Sequence, residues 1–295
     1  MKEYVINIIM NSSTTVVLID LDGTIIGDIS QQILSYELWK GLKSSCAKYS
    51  FDLTDFRDKL KNGLIRPGFE SFVKSIKQHL GNVEFFVYTA SEKSWAEFVI
   101  KQIEITLGIR FNRPIFSRDH CVQQGREYRK SLSYVKKQIT RCINKKLAVN
   151  AHIQSLLIID NNNVYSSHDQ KFILLCPSYN YRVPENIVSH LKQKCYEEHH
   201  QKIHSIMRKY ISTTLTPTKD FITFQKEFYS YYVYFITAIT KSNAKYSKDT
   251  FWWNLKDIII TENIHVFNEK NIRMLNKYLR KEHTSSHAIS HSISS

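Results

Sequence analysis

The stretch TTVVLIDLDGTIIGD, residues 14–28, decides the reading of this chain. Val16, Val17, Leu18 and Ile19 form a short, apolar, β-branched run without polar alternation, which predicts a strand buried on both faces. The run ends in Asp20 and Asp22, with Leu21 between them. Two readings stand at this point: an acidic turn that closes a strand, or a strand that delivers carboxylates to a substrate. Side chains two positions apart on a strand point the same way, so Asp20 and Asp22 share one side and Leu21 turns to the core. Gly23 lets the backbone turn sharply and approach a ligand closely.

Further buried strands are predicted at VEFFVYT (83–89), SLLIID (155–160) and KFILLCP (171–177). Helices are predicted between them: RPGFESFVKSIKQHL, opened by Pro67 and Gly68, and SEKSWAEFVIKQIEITLG, ended by Gly108 and capped by Ser91 or by a Ser94–Glu97 box. The segment from RPIFSRDHCV to Tyr128 reads as short strands or loop. VPENIVSHLKQKCYEEHH reads as a helix with Pro184 near its start. Strands alternating with helices give an α/β fold with a parallel sheet flanked by helices. Residues 29–63 are a polar, helix-like insertion, a small lid or a decoration. After residue 200 alternation stops, and three helices form a C-terminal α-helical extension with a packing aromatic stripe. The expected division is a core domain over 1–200, a helical extension over 201–282 and a disordered tail over 283–295. The cluster Cys195, His199, His200 and His204 reads as a solvated helix face, not a metal site.

In a parallel sheet function gathers at the carboxyl ends of the strands. Three ends carry suggestive residues: Asp20 with Asp22, Thr89, and Asp160 with Asn161. Carboxylates from neighbouring strands suit Mg²⁺, which prefers oxygen ligands and retains waters and phosphate in its shell. A threonine hydroxyl and a lysine ammonium would hold phosphate oxygens, so phosphoryl transfer is the natural chemistry. Asp20 is the expected nucleophile, ionised without help. Asp22 is the expected proton donor and then base, which calls for a raised pKa.

The motifs D-L-D-G-T, V-Y-T-A-S, a later lysine and I-I-D-N, in that order, resemble the haloacid dehalogenase superfamily. Within it the chain is similar to the transcription-factor-IIF-interacting (FCP/SCP) phosphatases, which dephosphorylate serines in the C-terminal repeats of RNA polymerase II. RPGFESFVKSI, VYTASEKSWAEFVI, SRDHCVQQGREYRKSLS and IIDNNNVY look like the family's successive segments, over roughly residues 14–200. The resemblance implies a HAD-like Rossmannoid fold and a Mg²⁺-dependent protein serine/threonine phosphatase acting through an aspartyl-phosphate. It implies phosphate binding by Thr24, Thr89 and Lys130, metal binding by Asp20, Asp22 and Asp160, and positions nearby for Asn161 and Arg118. The chain departs from the pattern at Gly23, where the family usually has Glu, at Ser131, and at Asn162–Asn163.

The chain has 295 residues and a formal charge of +14, which favours anionic partners such as phosphoproteins or nucleic acid, although AT-rich coding bias also raises lysine content. Two other functions are compatible with it: a phosphatase for a nucleic acid 3′-phosphate or small metabolite, and a non-catalytic docking module whose basic extension binds nucleic acid or a transcription complex. Five scattered cysteines without a C-x-x-C pair predict free thiols in a reducing compartment. VINIIM is too short and lacks the cleavage site of a signal peptide. No run approaches the ~18 apolar residues of a membrane span. The expected setting is cytoplasm or nucleus.

Overall fold

A computed structural model describes residues 13–42, 51–125, 127–147, 152–211 and 215–291. The VINIIM segment, Cys46, part of the 29–63 insertion and residues 292–295 lie outside the described residues.

The apolar run forms strand β1 (Ser13–Ile19), six of whose seven residues are buried. It lies in a four-stranded parallel sheet of order β2-β1-β5-β6, with β2 at Val83–Val87, β5 at His152–Asp160 and β6 at Ile173–Leu175. A central strand covered on both faces has no polar side to show, which is why β1 reads as a continuous apolar run. Two further strands, β3 (Val122–Gln124) and β4 (Glu127–Arg129), form a small antiparallel hairpin.

The nine helices of the described residues are α1 (Ser30–Leu42), α2 (Leu53–Lys59), α3 (Phe69–Leu80), α4 (Lys93–Leu107), α5 (Leu132–Leu147), α6 (Gln193–Met207), α7 (Phe221–Asn243), α8 (Phe251–Thr261) and α9 (Glu269–His291). The chain divides into two compact units. The first comprises residues 1–25, 67–178 and 250–295, and the second 26–66 and 179–249.

In the first unit α5 covers one sheet face. Its Leu132, Val135, Ile139 and Ile143 recur at helical spacing and join Val16, Leu18, Phe86 and Ile158 in one core. On the other side Phe72 of α3 meets Phe85 of β2 edge-on and lies 4.7 Å from the ring of Trp252 on α8. Helix α9 protects the sheet edge. The Asn276 amide accepts from Leu175 N at 3.2 Å and donates to Ile173 O at 3.0 Å, so side-chain groups satisfy β6 where a fifth strand would pair.

The second unit has its own core. Leu34 and Leu38 of α1 pack with Tyr196, Ile203 and Met207 of α6 and with Phe221, Phe224 and Phe228 of α7. Fully buried Arg66 is matched by Asp249, through bonds of 2.9 and 2.8 Å. A buried charge needs such a two-pronged partner to offset its lost hydration.

Several local expectations change. The expected domain boundary at residue 200 falls inside α6, whose packing partners include the 29–63 segment, whereas α8 and α9 belong to the sheet unit. The segment expected to be a disordered tail is helical as far as His291. The helix expected from Pro184 starts only at Gln193: a 3₁₀ turn at Ile187–His190 comes first, and Leu191 and Lys192 are extended. His204 is not on a solvated face; it is buried, and its Nε2 lies 2.8 Å from the Tyr196 hydroxyl. Cys121, Cys142 and Cys176 are free, but Cys195 is disulfide-bonded, which corrects the expectation of free thiols throughout.

Candidate active site

The carboxyl ends of β1 and β5 lie side by side, because Ile19 pairs with Ile159 and Asp20 N bonds Ile159 O at 2.9 Å. This register places Asp20 and Asp160 next to each other, both buried. Two carboxylates in such a place need a counter-charge. Lys130 supplies it from the residue that follows β4: its Nζ donates to Asp20 Oδ1 at 2.5 Å and to Asp160 Oδ2 at 2.7 Å. The ammonium is itself buried and lies 5.7 and 5.8 Å from the ring centres of Tyr88 and Tyr165, within cation–π range.

Asp22 is partly exposed, and its carboxylate turns to the loop after β2. Its Oδ2 accepts from Thr89 Oγ1 at 2.9 Å and from Ser91 Oγ at 2.7 Å. Ser91 N donates to Thr89 Oγ1 at 3.1 Å, which fixes that hydroxyl. Thr24 is fully buried; its hydroxyl donates to Asp20 Oδ2 at 3.3 Å and accepts from Asn161 N at 3.1 Å.

The Asn161 amide stands at the point where these groups converge. Turned so that its nitrogen faces β1, it donates to Asp22 O at 3.1 Å and to Asp20 Oδ2 at 3.2 Å. With oxygen at the same position, three acceptor oxygens face one another, the donor set a hard cation such as Mg²⁺ prefers. Asp160 is otherwise engaged: Oδ2 takes Lys130 and Oδ1 accepts from Asn162 N at 2.8 Å. Among the described residues no three His, Cys, Asp or Glu side chains are grouped to hold a metal ion. The oxygens of Asp20, the Asp22 backbone and Asn161 are the set that fits one.

Burial pushes the Asp20 carboxyl up to about 7; Lys130 opposes that shift, while Asp160 and Asp22 add to it. Burial and the neighbouring carboxylates thus work against the ionised form of Asp20, and the Lys130 ammonium works for it. Lys130 is held well above its ordinary value: burial alone would lower it, but Asp160 and Asp20 outweigh that effect.

Asp20, Asp22, Thr24, Thr89, Lys130, Asp160 and Asn161 are thus brought together from four segments. Arg118 is not among them. Its Nε donates to Ala90 O at 2.8 Å and its guanidinium lies over the Tyr128 ring, so it braces the loop that carries Thr89 and Ser91. Ser91, one of two cap candidates in the sequence, instead turns its hydroxyl to Asp22. The α4 N-cap is Glu92, without a side-chain bond. Thr89 and Ser91 are two apart, the same spacing that singled out Asp20 and Asp22. Tyr88 and Tyr165 were also missed, since nothing local marks an aromatic as the wall of an ammonium site.

Gly23 sits at φ +77°, and a Cβ there would lie 2.6 Å from Asn161 Nδ2. Gly23→Ala is expected to cost about 1–2 kcal/mol from the left-handed backbone alone. The added atom would also displace the Asn161 amide. Denaturant midpoints of the variant and the wild type check the loss.

Residues 15–201 match the model of the NLI interacting factor-like phosphatase family. No curated protein matches the chain. Among solved structures, fission yeast RNA polymerase II CTD phosphatase Fcp1 bound to beryllium fluoride is 15 % identical with a TM-score of 0.35, over 95 % of this chain and 65 % of that one. The HAD domain of the effector protein Lem4 from Legionella pneumophila is 13 % identical with a TM-score of 0.33, over 66 % of this chain and 98 % of that one. The chain thus spans 65 % of the length of the first of these.

The parallel sheet brings its strand-end carboxylates to a buried lysine, and the family model that matches the chain is that of a phosphatase. The chain belongs to the NLI interacting factor-like phosphatase family, whose model covers residues 15–201, more than half of it.

Proposed function

We propose that this protein is a Mg²⁺-dependent phosphatase of phosphoserine or phosphothreonine in proteins, working through a phosphorylated Asp20. The observation that carries the proposal is the sharing of one buried ammonium between Asp20 and Asp160, with Asp22 tethered separately by Thr89 and Ser91. The two aspartates that follow β1 are thereby given different surroundings and can take different roles.

In the first step an Asp20 carboxylate oxygen attacks phosphorus, and the bond to the serine oxygen breaks. Protonated Asp22 gives its proton to the departing alkoxide. In the second step Asp22, now a carboxylate, takes a proton from water as that water attacks the acyl phosphate. Phosphate leaves, and both aspartates return to their starting forms. Lys130 and Thr89 offset the charge on the phosphoryl oxygens, and Thr24 orients the Asp20 carboxylate. Asp20, the Asp22 carbonyl and Asn161 would hold Mg²⁺, which supplies charge neutralisation at the phosphate. In this reading Asp160 holds Lys130 in place.

A protein substrate is favoured by the chain between Thr89 and Lys130. Helix α4, a 3₁₀ turn and the β3–β4 hairpin account for its regular structure, which leaves no separate cap domain in that stretch. The alternative substrate, a nucleic acid 3′-phosphate or small metabolite, rests on the second unit, which leaves the chain directly after the Thr24 turn, at Ile26. A panel of phosphoserine peptides, 3′-phosphorylated oligonucleotides and sugar phosphates, each with Mg²⁺ and with chelator, tests the proposal. Mg²⁺-dependent preference for the peptides is expected; preference for either other class overturns the substrate assignment. No helix among the described residues is long and apolar enough to cross a membrane.

Asp22→Asn is expected to lower kcat about 10²–10⁴-fold, the usual worth of a positioned proton donor and acceptor. The loss should be smaller for an aryl phosphate, whose leaving group needs no proton. Steady-state assays with phosphoserine peptide and aryl phosphate check the difference.

A further inference from the structure

Helix α5 turns its apolar stripe to the sheet and carries no acidic residue, but it has five cations: Lys136, Lys137, Arg141, Lys145 and Lys146. Tyr134, Lys137, Arg141 and Lys145 follow one another at spacings of three or four, so they form a single line on the outer face. The line is about 16 Å long at the rise of an α-helix. Tyr134 heads it and is 61 % exposed, unusual for a large aromatic. At its other end Gln138, Arg141, Cys142 and Lys145 form one wall of an open groove of about 740 Å³, with Arg113 and Pro114 among the other lining residues.

Two cations of this region are already matched. Arg113 pairs with Glu104 at 2.8 Å and Lys146 with Glu84 at 2.7 Å. Among the described residues no carboxylate pairs with Lys137, Arg141 or Lys145. The groove is also remote from the catalytic carboxylates. Glu84 stands beside Val16 in the register, and Asp20 lies four residues further along the chain, just past the end of β1, about 13 Å at the rise of a strand. The groove therefore lies toward the starts of the parallel strands, and Asp20 lies at their ends.

We propose that the outer face of α5 binds single-stranded nucleic acid, with phosphates on Lys137, Arg141 and Lys145 and a base stacked on Tyr134. A line of unmatched cations along one helix recognises a repeating anion. The aromatic in the same line favours a nucleic acid over an acidic peptide, because bases present faces to stack on. The line thus starts at Tyr134, four residues after Lys130, and runs away from the site that hydrolyses phosphate to the groove at Arg141 and Lys145.

Full-length protein would be titrated by fluorescence anisotropy against twenty-nucleotide RNA and DNA strands at several salt concentrations. The triple variant K137S/R141S/K145S is expected to lower the slope of log affinity against log salt by about 2, at ~0.7 per phosphate contact on a single strand. Tyr134→Ala is expected to weaken binding about tenfold with the slope unchanged. Both variants should keep wild-type hydrolysis of an aryl phosphate, which shows that they are folded. A control variant loses Lys101, Lys241 and Lys270, exposed lysines outside α5, and should retain wild-type binding. The proposal is overturned if the wild type fails to bind either strand at low salt, or if the control loses as much affinity as the triple variant. It is also overturned if an acidic phosphopeptide of equal charge competes as well as the oligonucleotide.

Discussion

Lys130→Met is expected to destabilise the protein by about 3–5 kcal/mol and to abolish measurable phosphatase activity. The side chains are similar in length, so little packing is lost. What is lost is the counter-charge between two buried carboxylates: Asp20 and Asp160 would face each other without the ammonium that binds both. Removing one partner of a buried ion network leaves an uncompensated charge, which costs far more than the network contributes relative to apolar replacement. Urea unfolding of wild type and variant measures the loss. The double variant Lys130→Met with Asp160→Asn should recover part of the stability and none of the activity, because it removes one of the orphaned charges but not the need to hold a phosphate.

Asp20→Asn is expected to show the opposite split. Activity should fall on the order of 10³-fold or more, since a carboxamide does not serve as the nucleophile. Stability should hold or rise. Burial and the neighbouring carboxylates make the Asp20 charge unfavourable, as the shift to about 7 records, and the amide keeps the shape without the charge. Lys130 retains Asp160 as a partner in the variant. Parallel measurement of kcat and the urea midpoint separates this residue from Lys130, whose loss depresses both. Equal loss of stability in the two variants would mean that Asp20 is placed for the fold alone.

What the sequence reveals follows from how local each signal is. The β1 run is legible because a strand covered on both faces must be apolar throughout, and α3, α4, α7, α8 and α9 are legible from helical spacing. Asp20, Asp22 and Asp160 are legible as strand-end carboxylates. Lys130 is legible only through the order of motifs, since nothing near it announces burial. The part played by Ser91 is hidden because a serine just before a helix has a simpler reading as a cap. The false start at Pro184 has a similar origin: proline suits a first helical turn, but extended backbone at Leu191 and Lys192 divides the segment. The second unit is least legible. Its halves are separated by more than a hundred residues, and Arg66 meets Asp249 across 183 positions, a pairing that no local pattern encodes. The fit of Asn161 to a cation likewise depends on two strand ends meeting in space, so the sequence points first to its neighbour Asp160.

The most direct test is rapid acid quenching of wild-type enzyme during turnover of a phosphoserine peptide with Mg²⁺, followed by digestion and mass spectrometry. The account predicts a phosphoryl group on the peptide that contains Asp20, located at Asp20 by fragmentation and absent in Asp20→Asn. Phosphoryl transfer to another residue, or a burst of dephosphorylated peptide with no phosphorylated enzyme, would contradict it.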